Sequence, residues 1–227
     1  MRIAIVNNEE EIARLAADRV CEVYRDKPNF VLGLATGSSP IPLYDELVRR
    51  YEAGEISFAQ VQSFNLDEYV GLPKDHFEGY ANFIRRHLVG RVDMAEGAAH
   101  GPDGWCEDLD EGARLYDQAI KDAGGIDIQV LGIGSDGHIG FNEPGGSLSS
   151  RTHVGVLTEQ TRRDNFIATG KGKAQAVKEM IEGGVSQRWP ATALQYHNDV
   201  LVIIDEDAAS LLELKDFYKE VWAKENA

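Results

Sequence analysis

A chain of 227 residues has room for one large domain or two small ones, and its hydrophobic share of 43% is enough for a real core. With 38 acidic against 23 basic residues the formal net charge is −15, which repels nucleic-acid phosphates and argues against DNA or RNA as a partner. Two unpatterned cysteines, Cys21 and Cys106, argue against a disulfide scaffold or a zinc site, and no apolar run approaches a signal peptide or a membrane span, so the composition reads as a soluble, cytoplasmic protein.

In chain order the pattern alternates between strand and helix. "RIAIV" (2–6) predicts a strand. Residues 8–26 predict a helix, with Ile12, Leu15, Ala16, Val20 and Val23 on one face. "NFVLGLA" (29–35) predicts a second strand, 40–54 a helix stopped by Gly54, and "VQSFNL" (61–66) a third strand. Helices follow over 79–89 and 108–125, the latter closed by a glycine pair. "IDIQVLGI" (126–133) is short, apolar and β-branched, which predicts a buried strand, and "THVGVLT" (152–158) predicts another. A helix over 173–184, a strand over 199–205 and a helix over 209–225 complete the chain. Such alternation, with no repeat and no linker, predicts a single α/β domain over 1–227. It would be one doubly wound, Rossmann-like, mostly parallel sheet with helices on both faces.

Three loops at predicted strand ends carry chemistry. In "ATGSSP" (35–40), Thr36, Ser38 and Ser39 bring hydroxyls, Gly37 allows close backbone approach, and Pro40 suits a helix start. This reads either as an anion site at a helix N-terminus or as a simple capped turn. In "FNLDEYVGL" (64–72), adjacent Asp67 and Glu68 point opposite ways in extended chain, so one of them faces a given pocket. Taken alone, the pair reads first as an N-cap or surface acid, and otherwise as a carboxylate base. The third loop, "GIGSDGHIGFNEPGG" (132–146), sets Asp136, His138 and Glu143 among glycines just past a strand's carboxyl end, where open α/β sheets bind ligands. The set fits a carboxylate–histidine metal site or acid–base work by a histidine oriented by a carboxylate. A glycine-rich turn with a capping aspartate is the least favoured reading of the three.

These loops together resemble the glucosamine-6-phosphate deaminases. "LGLATGSSP", "FNLDEYVGL", "GIGSDGHIGFNEPG", "SSRTH", "ATGKGKAQAV" and "ALQYHNDVLVIID" occur in that family's order. The related 6-phosphogluconolactonases share a "DGH" loop, but the "FNEP" that follows resembles the deaminase. The resemblance implies an amino-sugar-phosphate hydrolase or isomerase that turns glucosamine 6-phosphate and water into fructose 6-phosphate and ammonia. It implies a role in N-acetylglucosamine catabolism and requires neither cofactor nor metal. His138 resembles the ring-opening acid–base, Asp136 and Glu143 the carboxylates that orient and balance it, and Asp67 the base that moves a proton from C2 to C1. The phosphate would rest on Thr36, Gly37, Ser38 and Ser39, with Lys173 as the cation.

Two departures from the family pattern stand out. After "TRRDN" the family continues with a Ser-Arg pair, a lid and a core strand. Here Asn165 is followed at once by Phe166 and Ile167, so the domain reads as shortened near 165–168 and the phosphate-binding arginine has no counterpart. Regulated members also carry basic residues just beyond "SRT", where His153 and Gly155 stand here. Weak or absent activation by N-acetylglucosamine 6-phosphate is therefore expected. Two other readings compete: a lactonase-like hydrolase, and a sugar-phosphate sensor that has lost turnover. The acidic charge and the opening directly on a strand count against the sensor. Monomer and homo-oligomer both stay open.

Overall fold

A computed structural model describes residues 1–157 and 170–226. The class is α/β, with every ladder between named strands parallel. Among the described residues, however, the strands pair into two sheets, of two and four strands, rather than one. The chain divides into two compact units.

The first unit comprises Met1–Leu15, Gly132–Ser149 and the described part of Gly155–Ala227. Strand β1 (Arg2–Val6) pairs in parallel with β6 (Leu201–Asp205), the last strand among the described residues. The helix that follows β1, α1 (Glu9–Asp26), begins as its sequence dictates. Asn8 Oδ1 accepts the Glu11 N–H at 2.9 Å, and Glu11 Oε2 accepts the Asn7 N–H at 2.9 Å. This reciprocal cap, with Glu9, Glu10 and Glu11 in the first turn, suits the positive end of a helix. The unit's core gathers Ile3, Val202 and Ile204 from the sheet with Val177 and Met180 from the helix Ala174–Glu182. The last helix starts at Lys215, not at 209 as predicted. The N–H groups of Glu213 and Leu214 donate instead to the Glu182 carboxylate, both at 2.9 Å. A side chain thereby satisfies backbone donors before the helix begins.

The second unit comprises Ala16–Leu131 and Ser150–Val154. Its sheet has the order β4-β3-β2-β5, formed by β2 (Val31–Leu34), β3 (Gln62–Asn65), β4 (Ala99–His100) and β5 (Ile128–Gln129). All four β2 residues are buried, as a central parallel strand requires. Phe30, Leu32 and Leu34 pack with Tyr44, Leu47 and Val48 of α2 (Ile41–Glu52) and with Ile84 of α3 (Tyr80–His87). A smaller cluster joins Val31 and Phe64 to Tyr116 of α4 (Leu109–Asp122).

Strand β5 is much shorter than the predicted 126–133. Among the described residues it pairs with β2 alone, and Leu131 just beyond it is 37% exposed. Residues 152–157 form no strand, against expectation, and Thr158 lies outside the described residues. The Thr152 backbone N–H and hydroxyl donate to Asp117 Oδ1 at 3.4 and 2.7 Å, so a side chain receives a backbone donor that a ladder would use. The two-residue β4 had no readable pattern in the sequence. The junction at 165–168 also lies outside the described residues.

Candidate active site

In the second unit, two predicted loops leave neighbouring parallel strands at their carboxyl ends. Residues 35–40 follow β2 and residues 66–72 follow β3, and the Leu66 N–H donates to the Leu34 carbonyl at 3.0 Å. Gly37 takes φ +96°, a left-handed turn closed to most side chains, and leaves Ser38 and Ser39 exposed. Pro40 occupies the N-cap of α2, and no side chain caps that end. The loop thus presents two hydroxyls at an uncapped helix start, an arrangement that receives anions.

The adjacent pair Asp67–Glu68 divides as alternation requires. Glu68 turns to backbone donors: Oε1 accepts the N–H groups of Tyr69 at 2.9 Å and Tyr80 at 3.0 Å, and Oε2 accepts that of Ala81 at 2.9 Å. Asp67 turns inward. Its Oδ1 is enclosed and has no hydrogen-bond partner among the described residues. Burial, and then the charge of neighbouring Glu68, push its carboxyl up from an ordinary 3.8 to about 7. Tyr44, Tyr80 and Tyr116 all feel its charge. Burial is the first cause that holds each of these phenols neutral far above neutral pH. Two of them are anchored to backbone carbonyls, Tyr44 to Ala35 at 2.5 Å and Tyr116 to Asn65 at 2.7 Å. The three tyrosines were missed in the sequence because, at helical spacing, each reads as core.

The first unit holds the other cluster. A tight turn closes with Gly137 N–H to the Gly134 carbonyl at 3.0 Å and Gly134 N–H to the His138 carbonyl at 2.9 Å. A Cβ on Gly134 would stand 2.2 Å from His138 Nδ1, so glycine there makes room for the imidazole. Asp136 Oδ1 lies 2.7 Å from His138 Nδ1 and 3.1 Å from the His138 backbone N. Burial opposes ionisation of Asp136, but these hydrogen bonds and the imidazole charge outweigh it and hold the carboxyl below its usual range. An ionised Asp136 makes Nδ1 the donor and leaves Nε2 for proton transfer. One ligand-capable atom from each of Asp136, His138 and Glu143 falls within 4.8 Å of the others. Phe141, 5.8 Å from the imidazole between ring centroids, takes φ +52°, a strained conformation for an aromatic residue at a ligand loop. Lys173 is half-buried and immediately precedes the helix Ala174–Glu182.

The donor set would also suit a divalent cation. The 2.7 Å contact between Asp136 Oδ1 and His138 Nδ1 is a hydrogen bond, which leaves Nε2 as the ring atom open to an ion or a proton. Acid–base work by a histidine–carboxylate pair needs no Lewis acid, so activity is expected to survive prolonged chelation within twofold. A loss restored by a divalent ion would establish a metal requirement.

The structure thus places Thr36, Gly37, Ser38, Ser39 and Asp67 in one unit, and Asp136, His138, Glu143 and Lys173 in the other. Residues 7–142 match the family model for glucosamine-6-phosphate isomerases/6-phosphogluconolactonase. The chain is 48% identical to a glucosamine-6-phosphate deaminase of Beutenbergia cavernae, covering 98% of this chain and 97% of the relative. Another from Mycolicibacterium smegmatis has the same identity and the same coverage of each chain. The first of these alignments runs over 253 positions, more than the 227 residues here, so the relative carries segments that this chain lacks. Among solved structures, a monomeric glucosamine-6-phosphate deaminase superposes with TM-score 0.89 at 37% identity, over 93% of this chain and 100% of that one. A 6-phosphogluconolactonase from Trypanosoma cruzi superposes with TM-score 0.73 at 20% identity, over 93% of this chain and 97% of that one, a likeness of fold alone. With the loops, the fold and nearly full-length relatives in agreement, the chain belongs to the glucosamine-6-phosphate isomerase/6-phosphogluconolactonase family.

Proposed function

We propose that the protein converts glucosamine 6-phosphate and water into fructose 6-phosphate and ammonia. Ring opening needs a proton to leave the anomeric hydroxyl and another to reach the ring oxygen. His138 Nε2 carries that traffic while Asp136 holds Nδ1–H and, with Glu143, balances the imidazolium. Asp67 then lifts the C2 proton and returns it to C1, while the C1 oxygen takes up a proton and the nitrogen gives one up, so that C1=O becomes C1–OH and the double bond moves to C2–N. Water adds to the resulting imine and ammonia departs. Hydrolysis is thus confined to the imine, and the reaction is an isomerising deamination rather than the plain hydrolysis also entertained above. Thr36, Gly37, Ser38, Ser39 and Lys173 take the phosphate. Cytoplasmic thiol-reducing conditions suit the free Cys21 and Cys106. Among the described residues no helix is long and apolar enough to cross a membrane.

The observation that carries this reading is Asp67, a buried carboxyl with its pKa near 7 at the end of β3. Hydrolysing a lactone needs only an activated water, which a histidine–carboxylate pair supplies. Moving a carbon-bound proton needs a second base poised near neutrality. The test is a coupled assay for ammonia from glucosamine 6-phosphate, with glucose 6-phosphate as the non-amino control and 6-phosphogluconolactone as the rival substrate. Lactone turnover without ammonia release would give the rival reading its support.

His138→Gln is expected to slow turnover of the closed-ring substrate by about 10²–10⁴-fold. Affinity for an open-chain amino-alditol phosphate should stay within threefold. Calorimetric titration with that ligand checks this, and equal losses on both would make His138 a binding residue.

A further inference from the structure

We propose that Thr192 is a positioning residue for the proton-transfer loop, holding the turn of Asp136 and His138 in place through a brace formed by residues 186–192. The proposal rests on the function above, which gives that loop its task. An error of about 1 Å in the placement of a reacting group can cost 10²-fold in rate. The loop has glycine at 132, 134, 137 and 140, the residue type that restricts a backbone least, so its geometry needs support from outside.

Two backbone hydrogen bonds join the loop to the brace. The Gly137 carbonyl, between Asp136 and His138, accepts the Ala191 N–H at 2.9 Å. The Gly145 N–H, two residues beyond Glu143, donates to the Gln187 carbonyl at 2.6 Å. Trp189 packs on the same turn: a Cβ on Gly137 would stand 2.7 Å from Trp189 Cε3 and 3.3 Å from Trp189 Cα. With φ +81° and no Cβ, Gly137 lets the indole edge meet the backbone of the turn.

Thr192 closes the brace. It is fully buried, its Oγ1 accepts the Ser186 N–H at 2.9 Å, and its hydroxyl donates to the Trp189 carbonyl at 2.7 Å. The Thr192 N–H donates to that carbonyl at 2.9 Å, and the Trp189 N–H donates to the Ser186 carbonyl at 3.1 Å. One side chain therefore holds both ends of the turn that carries Gln187. The brace in turn stands on the core of its unit. Ala191 is buried with Val177 and Met180, and Gln195 Nε2 donates to the carbonyls of Met180 and Gly183 at 2.8 and 2.9 Å. Support thus passes from the helix Ala174–Glu182 to the brace, and from the brace to the loop of Asp136, His138 and Glu143.

The experiment compares wild type, Thr192→Val, Thr192→Ser and Trp189→Phe as full chains, each below its melting temperature. Valine keeps the shape and removes the hydroxyl, and serine returns it. Thr192→Val should lower kcat by about 10–100-fold. KM should stay within about threefold, because the hydroxyl is bonded inside the brace and not to the phosphate-binding residues. Thr192→Ser should recover most of the loss. A second readout needs no turnover: the ¹H–¹⁵N resonance of His138 Nδ1–H, held downfield by Asp136 and identified by its absence in His138→Gln. It should move upfield in Thr192→Val and return in Thr192→Ser. A hydroxyl that served stability alone would lower the melting temperature and leave kcat and this resonance unchanged in the folded protein. That outcome would overturn the proposal, as would a serine variant that rescues neither. A wild type that releases no ammonia while the resonance still answers to the hydroxyl would defeat the proposed function and leave this link standing. Should Thr192→Val fail to fold, Trp189→Phe decides: a smaller ring against Gly137 should lower kcat and move the resonance, and a change in neither overturns the proposal.

Discussion

Asp67→Asn is expected to abolish isomerisation and to stabilise the protein at the same time. The loss in kcat should be about 10²–10⁴-fold, the usual contribution of a general base. Substrate affinity should change little, because the amide keeps the carboxyl's size. The gain in stability follows from linkage. The carboxyl titrates at about 7 when folded against an ordinary 3.8. Between those values the folded chain holds a proton that the unfolded chain has released. Neutral Asp67 therefore contributes its full stability below about pH 4, and that contribution is lost as pH rises through about 7. The displacement corresponds to about 4 kcal/mol at most. Asparagine carries no charge at any pH, so the variant should melt higher than wild type at pH 8, by about 2–4 °C for each kcal/mol recovered. At pH 5 the gap should narrow, and below about pH 4 it should close. The wild-type rate should follow the same group, with kcat/KM falling about tenfold per pH unit below about 7. Turnover within threefold of wild type, or a melting difference that ignores pH, would remove Asp67 from the role of base.

Restoring a relative-like lid and strand between Asn165 and Ile167 is expected to raise both stability and substrate affinity. The curated relatives are longer than this chain by segments absent here. Among the described residues β5 is a two-residue strand paired with β2 alone, and Leu131 beyond it is partly exposed. A further parallel strand on that edge would bury four or five aliphatic side chains at roughly 1.5–3 kcal/mol each, on the order of 10 kcal/mol. That rivals the typical total stability of a domain, about 5–15 kcal/mol. The restored lid also returns an arginine, whose planar fork binds phosphate through two hydrogen bonds. The melting temperature should therefore rise and KM fall in the same variant. Changing only that arginine back to alanine should reverse the KM and leave the melting temperature. If the insertion alters neither quantity, the shortened junction is neutral.

Local physics made much of this protein readable in its sequence. The reciprocal cap of Asn8 and Glu11 spans three residues, and the helix it starts was expected at the right place. The contact between Asp136 and His138 spans two residues and is enforced by Gly134, so that pair could be named from the chain alone. The left-handed turn at Gly37 was likewise implied by its residue type.

Packing decided the rest. The sequence could say that Asp67 and Glu68 face opposite ways, but not which one is buried. Glu68 finds its donors 12 and 13 residues on, at the start of α3. Asp67 owes its environment to tyrosines on three separate helices, one of which bonds a carbonyl 51 residues away. The β-branched spacing predicts a strand at 152–158, yet the Thr152 N–H and hydroxyl both donate to Asp117 Oδ1, 35 residues earlier, at 3.4 and 2.7 Å. A strand exists only where a partner offers its edge, and a pKa moves only where neighbours exclude water. Both depend on what the fold brings from elsewhere in the chain. The sequence therefore determined the residue types, the turns and the family, while the tertiary structure decided which carboxyl became the buried one.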